Sequence, residues 1–137
     1  MLKTIAGVAA GIVAAVAAIL LVQFVGHAVY PAGEVDFRDR EAVSAMIRSL
    51  PVGALLFVAA AWFTGALAGG AVAAWISGRR WTAWLVGAVV ALMAVVNIFT
   101  YPHPAWMQIA AIVAPALGGI VAGHLAGRRP RPAGERL

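Results

Sequence analysis

Five polar side chains that could do chemistry stand in or beside long apolar runs of the sequence. They are three amides and two imidazoles: Gln23, Asn97, Gln108, His27 and His103. An amide both donates and accepts hydrogen bonds, and an imidazole can also bind a metal or change its charge near neutral pH. Because Gln23 and His27 are four residues apart, they share one face of a helix. We name these five residues the polar cluster and predict that His27, Asn97 and His103 lie near one another.

Three kinds of site are compatible with the polar cluster. Amides between membrane helices commonly hydrogen-bond one helix to another, while histidines anchor helix ends at the interface. The same groups would serve a binding site or a pH-responsive contact. A metal or haem site would need His27 and His103 to converge with Glu34 or Asp36, since no helix carries an HxxxH or HxxE pair. The sequence alone leaves these readings open.

Catalytic signatures are missing from the chain. It contains no Gly-x-Ser-x-Gly elbow, no phosphate-binding loop and no dinucleotide fingerprint. Its acidic residues are confined to Glu34–Glu41 and Glu135, so none lies in an apolar run where a proton-coupled transporter would need one. We therefore expect a protein that is not an enzyme, with no catalytic residue, no metal and no cofactor.

The elements that must position the polar cluster follow from hydropathy. Of the 137 residues 64% are hydrophobic and 11% are charged, against about 25% charged in soluble domains. A span needs about 20 apolar residues to cross a bilayer core roughly 30 Å thick. Four runs meet that length, at about residues 4–25, 52–76, 84–100 and 105–126. Since unpaired backbone groups cannot face lipid, all four must be helices, which predicts an all-α membrane protein: a single four-transmembrane-helix bundle.

The segment between the first two spans predicts a further, short helix. Asp36 or Asp39 is a candidate N-cap. Apolar residues then recur at helical spacing, at Val43, Met46, Ile47 and Leu50. We predict an amphipathic helix lying on the outer surface of the membrane. Residues 127–137, which are basic and rich in proline, are predicted to form a disordered cytoplasmic tail.

Orientation follows from the basic residues. The chain has a net charge of +5, but its Lys and Arg flank the spans instead of covering a face, so we expect no nucleic-acid partner. Seven of the ten fall at Lys3, Arg79, Arg80 and in the C-terminal segment Arg128–Arg136. The positive-inside rule then places both termini in the cytoplasm and the polar cluster at the outer mouth of the bundle.

Small residues at intervals of four mark the helices as closely packed. The clearest pairs are Gly7 with Gly11, Gly65 with Gly69, and Gly119 with Gly123. Such stripes let helix backbones approach each other in a bilayer, where apolar burial gives no driving force between helices. They predict packing within one bundle or, as the alternative, a homo-oligomer interface.

Two families resemble this chain. Its size and four spans resemble the small multidrug resistance transporters, but residues 4–25 lack the glutamate through which that family works. Short motifs are more similar to small four-pass bacterial inner-membrane proteins with no assigned activity. These motifs are His27 with Tyr30-Pro31, the Asp36 loop, Ser77-Gly78-Arg79-Arg80 and Pro102-His103-Pro104-Ala105-Trp106. This second resemblance implies a four-helix fold in the bacterial inner membrane and brings no activity with it.

The leading functional expectation is a structural, assembly or accessory subunit in the lipid bilayer, packed against itself as a homo-oligomer or against a larger membrane complex. Abundant small residues and the lack of charge within the spans favour it. The alternative is a small oligomeric transporter or channel-like protein with the polar cluster on the solute path. A haem- or metal-binding membrane subunit is the weaker alternative.

Overall fold

The computed structural model describes residues 1–128. Of the predicted tail 127–137, Gly127 ends the last helix, and residues 129–137 lie outside the described residues. The described residues form five helices, which confirms the predicted all-α fold of four long apolar helices and one short helix. The helices are α1 (Leu2–Val29), α2 (Arg40–Ser49), α3 (Val52–Ser77), α4 (Trp81–Thr100) and α5 (Ala105–Gly127). The four helices α1, α3, α4 and α5 are long and apolar enough to cross a membrane, so this is a multi-pass integral membrane protein.

The helix ends differ from the hydropathy boundaries mainly in α1 and at the start of α4. The fourth helix begins at Trp81, three residues before the predicted start at Trp84. Its first turn is stabilised by Thr82, whose Oγ1 donates to the Arg79 carbonyl at 2.7 Å and lies 2.9 Å from Ser77 Oγ. These hydrogen bonds let a polar, fully buried residue begin an apolar helix.

The bundle has two ends that differ in composition. The arginine end carries Lys3, the turn 77–80 between α3 and α4, and Arg128, and Gly78 makes that turn with a left-handed φ of 67°. The opposite end, which we name the cavity end, carries Tyr30, α2 and the turn 101–104. Helices α1 and α4 both run towards the cavity end, and α3 and α5 run away from it.

Glycines bring α1 and α3 together in the half of the bundle near the arginine end. A Cβ built on Gly7 would lie 2.8 Å from the carbonyl oxygen of Ala73, and one on Gly11 would lie 2.6 Å from the carbonyl oxygen of Gly69. A Cβ on Gly69 would in turn meet the Gly11 carbonyl. Backbone therefore touches backbone here, which only glycine allows.

The other predicted packing glycines also face a neighbouring helix of the same chain. Gly65 of α3 lies under Ile19 of α1, and Gly119 of α5 lies against Gly87 of α4. Gly123 differs in kind, because its nearest neighbour is the indole side chain of Trp84 and not a main chain. The small-residue stripes thus lie at contacts within one bundle.

Helix α2 lies across the cavity end. Asp39 is its N-cap and accepts hydrogen bonds from the N–H groups of Glu41 and Ala42, at 2.9 and 3.2 Å. Asp36, the other candidate cap, accepts instead from the Arg38 N–H. The apolar face of α2 is turned towards the bundle, since Val43 and Ile47 are only 4% and 9% exposed.

A long-range hydrogen bond ties α2 to the fourth helix. Arg40, the first residue of α2, donates from Nη2 to the carbonyl oxygen of Thr100 at 3.1 Å. Thr100 is the last residue of α4, where helix carbonyls have no partner within the helix and attract a cation. The Arg40–Thr100 bond therefore fixes one end of α2 over the bundle.

Candidate binding cavity at one end of the bundle

A cavity of about 390 Å³ lies between α1, α2, α3 and α4 at the cavity end. Its deepest walls are apolar and include Ile19, Trp62 and Val90, which lie near the middle of their helices. Val43, Met46 and Ile47 of α2 line it from above. This volume falls in the range of about 300–1,000 Å³ that is typical of small-molecule sites.

Four members of the polar cluster line this cavity. Gln23 and His27 come from α1, Asn97 from α4, and His103 from the turn that follows α4. Gln108 is absent from the lining and is exposed on the outside of α5. The neighbouring Met107 is fully buried, and a helix turns by about 100° per residue, so Gln108 points away from the core. That the four residues act as a site stays a prediction.

Polarity rises in the same order along the two facing helices. On α1 the cavity is lined by Ile19, Gln23 and His27 at intervals of four, and on α4 by Ala94, Asn97 and Tyr101 at intervals of three and four. These spacings keep each series on one helix face. At 1.5 Å per residue, the amides lie about 5–6 Å closer to the cavity end than the apolar residues below them. The cavity therefore has an apolar floor and a polar mouth.

The two histidines present one nitrogen each for further hydrogen bonding. His27 Nδ1 lies 2.9 Å from the Gln23 carbonyl oxygen, and His103 Nδ1 lies 2.8 Å from the Tyr101 carbonyl oxygen. A carbonyl only accepts, so Nδ1 is the donor in both contacts. In the neutral ring Nε2 then has no hydrogen and is an acceptor.

Besides the Nε2 atoms of the two histidines, five polar groups of the lining have no hydrogen-bond partner within residues 1–128. They are the side-chain amides of Gln23 and Asn97, the hydroxyls of Tyr30 and Tyr101, and the indole N–H of Trp62. Trp62 is only 5% exposed, yet no fully buried polar side-chain atom of the described chain lacks a partner. Its N–H therefore reaches open space, and the space that Trp62 lines is the cavity. In a membrane an unpaired polar group of this kind costs several kcal/mol.

Two aromatic rings line the cavity between α1 and α3. Tyr30, which follows α1, lies over Gly53 of α3, and Phe57 of α3 lies over Gly26 of α1. The rings meet edge to face, with centroids 6.1 Å apart and planes at 65°. We name these four residues the ring–glycine clasp. Each glycine of the clasp is covered by an aromatic side chain of the facing segment and not by its backbone.

The charge and the metal-binding capacity of the lining limit what the cavity can hold. Within the described chain, no Asp, Glu, Lys or Arg side chain belongs to the lining. Over the same residues, no three His, Asp or Glu side chains converge on a point where a metal could be held. The lining supplies amide, imidazole, phenol and indole groups over an apolar floor. Such a surface can hold an uncharged molecule by hydrogen bonds and apolar contact.

The side of the cavity between α1 and α4 faces the lipid. Of the helix pairs that touch, α1 and α4 have the smallest contact, which includes Gly11 and Val86 in the half near the arginine end. Nearer the cavity end the facing residues are accessible: Met93 is 50% exposed, and His27 and Asn97 are also exposed. A molecule dissolved in the bilayer could therefore reach the cavity sideways.

A second cavity, of about 360 Å³, lies on the other side of α2. It shares Ile47, Leu50, Leu55 and His103 with the first cavity, and its other walls include Pro102 and Trp106. Helix α2 therefore lines both cavities, through Val43, Met46 and Ile47 on one side and Ile47 and Arg48 on the other.

Comparison with known proteins gives no relative to compare this cavity with. No family model, no curated protein and no solved structure matches the chain significantly.

The sequence did not identify several residues that shape the cavity. Phe57 and Trp62 look like ordinary apolar residues of a span, and Gly26 looks like part of a packing surface. One signal could have revealed the clasp: Gly26 and Tyr30 are four residues apart, as are Gly53 and Phe57. When two antiparallel helices each carry a glycine and an aromatic residue at this spacing, each ring can cover the other helix's glycine.

Proposed function

We propose that this chain is a non-catalytic accessory protein of the bacterial cytoplasmic membrane that binds a small, mostly apolar molecule in the cavity. The observation that supports this function is the combination of an apolar 390 Å³ cavity with amide and indole groups that have no partner within residues 1–128. Polar groups left unpaired in a membrane favour an occupant that pairs with them.

Holding a molecule is favoured over conducting one. Between the cavity floor and the arginine end the core is filled by fully buried or nearly fully buried small side chains, among them Ala66, Ala73 and Val86. A solute path would need polar groups along that half. The described polar side chains of the spans there are few: Ser77 and Thr82 bond to each other in the turn, Thr64 is half-buried near mid-bundle, and His124 is exposed on α5.

We also propose that both termini are cytoplasmic, so that the cavity opens in the outer leaflet. The basic residues at the arginine end support this orientation. Reporter fusions test it: a fusion at Arg79 or after Arg129 should behave as cytoplasmic, and one between Glu34 and Ser44 as external. A fusion at Arg79 that reports from outside would contradict the orientation and place the cavity in the inner leaflet.

Photolabelling in lipid nanodiscs tests the binding function. Diazirine-bearing dodecane and dodecanol would be photolysed with the protein, and the labelled residues mapped by peptide mass spectrometry. We expect label to concentrate on cavity residues such as Val58 and Met93, and much less on Leu117, which is exposed on α5. Equal labelling of all exposed helix faces by both probes would contradict a binding cavity.

A matched pair of variants tests whether the labelled site is the cavity. Val58 lines the cavity, while Leu56 is exposed on the same helix outside it. Val58→Trp should fill part of the cavity and reduce labelling of Met93 by roughly tenfold, the loss expected when about 1.4 kcal/mol of binding is removed. Leu56→Trp adds the same ring outside the cavity and should leave labelling unchanged.

A further inference from the structure

We propose that the occupant of the cavity is an uncharged single-chain amphiphile with a hydroxyl head, held by the amides of Gln23 and Asn97. This inference rests on the proposed binding function and names the chemical class of its ligand. The observation behind it is that the side-chain amides of Gln23 and Asn97 both line the cavity without a hydrogen-bond partner within residues 1–128. They lie between the apolar floor and the two imidazoles.

Charge limits the head group first. An ammonium placed in the cavity would leave water without meeting an opposite charge, and a carboxylate would meet one only on a protonated His27 or His103, since within the described residues the lining contains no Lys, Arg, Asp or Glu. Removing an unpaired ion from water is far more costly than removing a neutral polar group. Fatty acids and alkylamines are therefore disfavoured.

Hydrogen bonding then selects among neutral heads. The amides of Gln23 and Asn97 donate through NH₂ and accept through oxygen, whereas the neutral rings of His27 and His103 accept at Nε2. A hydroxyl both donates and accepts, so it can pair with an amide N–H and with an imidazole nitrogen. A ketone or an ester only accepts and leaves the imidazoles unpaired, and an alkane pairs with neither.

The shape of the cavity sets the rest of the ligand. The polar mouth lies above Ile19, Trp62, Val90 and Ala94, so an amphiphile would place its chain downward with its head at the amides. At about 30 Å³ for each water-sized group, 390 Å³ holds on the order of a dozen non-hydrogen atoms. A medium-length alkyl chain with one hydroxyl has this size. The accessible side between α1 and α4 gives such a lipid a route from the bilayer.

Competition among four dodecyl compounds in nanodiscs tests the ligand class. Dodecanol, dodecane, dodecanoic acid and dodecylamine would each compete against the photoreactive dodecanol, with occupancy referred to the concentration of each compound in the bilayer. We expect dodecanol to bind at least roughly tenfold more tightly than each of the other three, about the net worth of one hydrogen bond.

Apolar replacements of the amides identify the groups that hold the head. Gln23→Leu with Asn97→Leu should abolish the preference for dodecanol over dodecane while keeping the chain bound in the cavity. Gln108→Leu is the matched control, because it removes an exposed amide at the same end of the bundle that does not line the cavity. That variant should keep the full preference. The single variants guard against a folding defect in the double one.

The outcomes separate this inference from the proposed function. If dodecanol and dodecane occupy the cavity equally, or if the acid or the amine binds best, the ligand class is wrong while the binding function stands. If the preference for dodecanol survives in Gln23→Leu with Asn97→Leu, the amides do not hold the head and the inference is overturned. If none of the compounds occupies the cavity, the binding function fails and this inference fails with it.

Discussion

The two halves of the bundle use glycine in different ways. Near the arginine end, glycines of α1 and α3 meet the backbone of the facing helix, as Gly11 and Gly69 meet each other. At the cavity end, Gly26 and Gly53 meet the rings of Phe57 and Tyr30. Near the arginine end the contact is backbone on backbone, whereas at the cavity end each glycine is covered by an aromatic side chain that lines the cavity. The same residue type therefore makes a main-chain contact in one half and seats a cavity-lining ring in the other.

This difference changes what the small-residue stripes indicate. From the sequence they predicted packing within one bundle, with a homo-oligomer interface as the alternative. In the folded chain, Gly11, Gly69 and Gly119 are covered by neighbouring helices of the same molecule. The stripes are thus used in packing within the molecule, and four members of the polar cluster line the cavity at its other end.

The largest effect is expected where backbone meets backbone. In Gly69→Leu the new side chain would collide with the Gly11 carbonyl and with the Ala15 Cβ, 2.6 Å from the built Cβ. A main chain cannot swing aside, so α1 and α3 must separate, and we expect the free energy of unfolding to fall by about 3 kcal/mol or more. Unfolding in mixed micelles of mild and denaturing detergent measures it.

Gly123→Leu is the comparison variant for that experiment. The Cβ there would meet the Trp84 indole, whose Nε1 lies 2.6 Å away, and an indole that is partly exposed can rotate outward. We expect a loss of about 1 kcal/mol. Equal losses in the two variants would break the distinction between backbone and side-chain contacts.

A middle-sized effect is expected at the ring–glycine clasp. Gly53→Leu places a side chain where Tyr30 lies, with the ring carbon Cζ 2.6 Å from the built Cβ. The ring can move into the cavity, so we expect a cost in unfolding free energy of only about 1 kcal/mol but a roughly tenfold loss of dodecanol binding. Gly33→Ala is the control, because nothing lies within 4 Å of its built Cβ. Unchanged binding in Gly53→Leu would show that Tyr30 does not shape the cavity.

The smallest effect is expected at the hydrogen bond between Arg40 and the Thr100 carbonyl, which ties α2 to the end of α4. Arg40→Gln removes the hydrogen bond to the Thr100 carbonyl, which is exposed to solvent. We expect amide hydrogen exchange in residues 43–49 to rise roughly fivefold, the equivalent of about 1 kcal/mol, with no change in α3 or α4. Arg38→Gln serves as the control, since the Arg38 side chain makes no hydrogen bond within residues 1–128. Equal exchange in both variants would mean that the Arg40–Thr100 hydrogen bond does not hold α2 in place.

Hydropathy predicted the fold well because lipid forces each apolar run of about 20 residues into a helix. The positions of the polar residues were predicted less completely. Matched depth along α1 and α4 was enough to anticipate that Gln23, His27 and Asn97 reach the same end, but not that Gln108 faces outward. Rotation of a helix about its axis depends on the packing of its neighbours, such as the buried Met107.

The cavity itself could not be derived from the sequence. It is lined in part by Tyr30 and Phe57, which lie on glycines of the facing segment, and these contacts join residues that are distant in sequence. The apolar face of α2 was predicted from its periodicity. That periodicity did not indicate that Val43 and Ile47 would be buried against the protein's own helices.

Contact quenching of Trp62 tests the central claim, that the cavity end binds a small amphiphile from the bilayer, most directly. A variant that keeps Trp62 as its single tryptophan, with the other four replaced by phenylalanine, would be titrated in nanodiscs with a bromine-tagged dodecanol. A second variant that keeps only Trp75, which is 68% exposed near the arginine end, reports simple partitioning into lipid. The account predicts saturable quenching of Trp62, reversed by unlabelled dodecanol, and linear quenching of Trp75. Linear quenching of both, unaffected by the competitor, would contradict it.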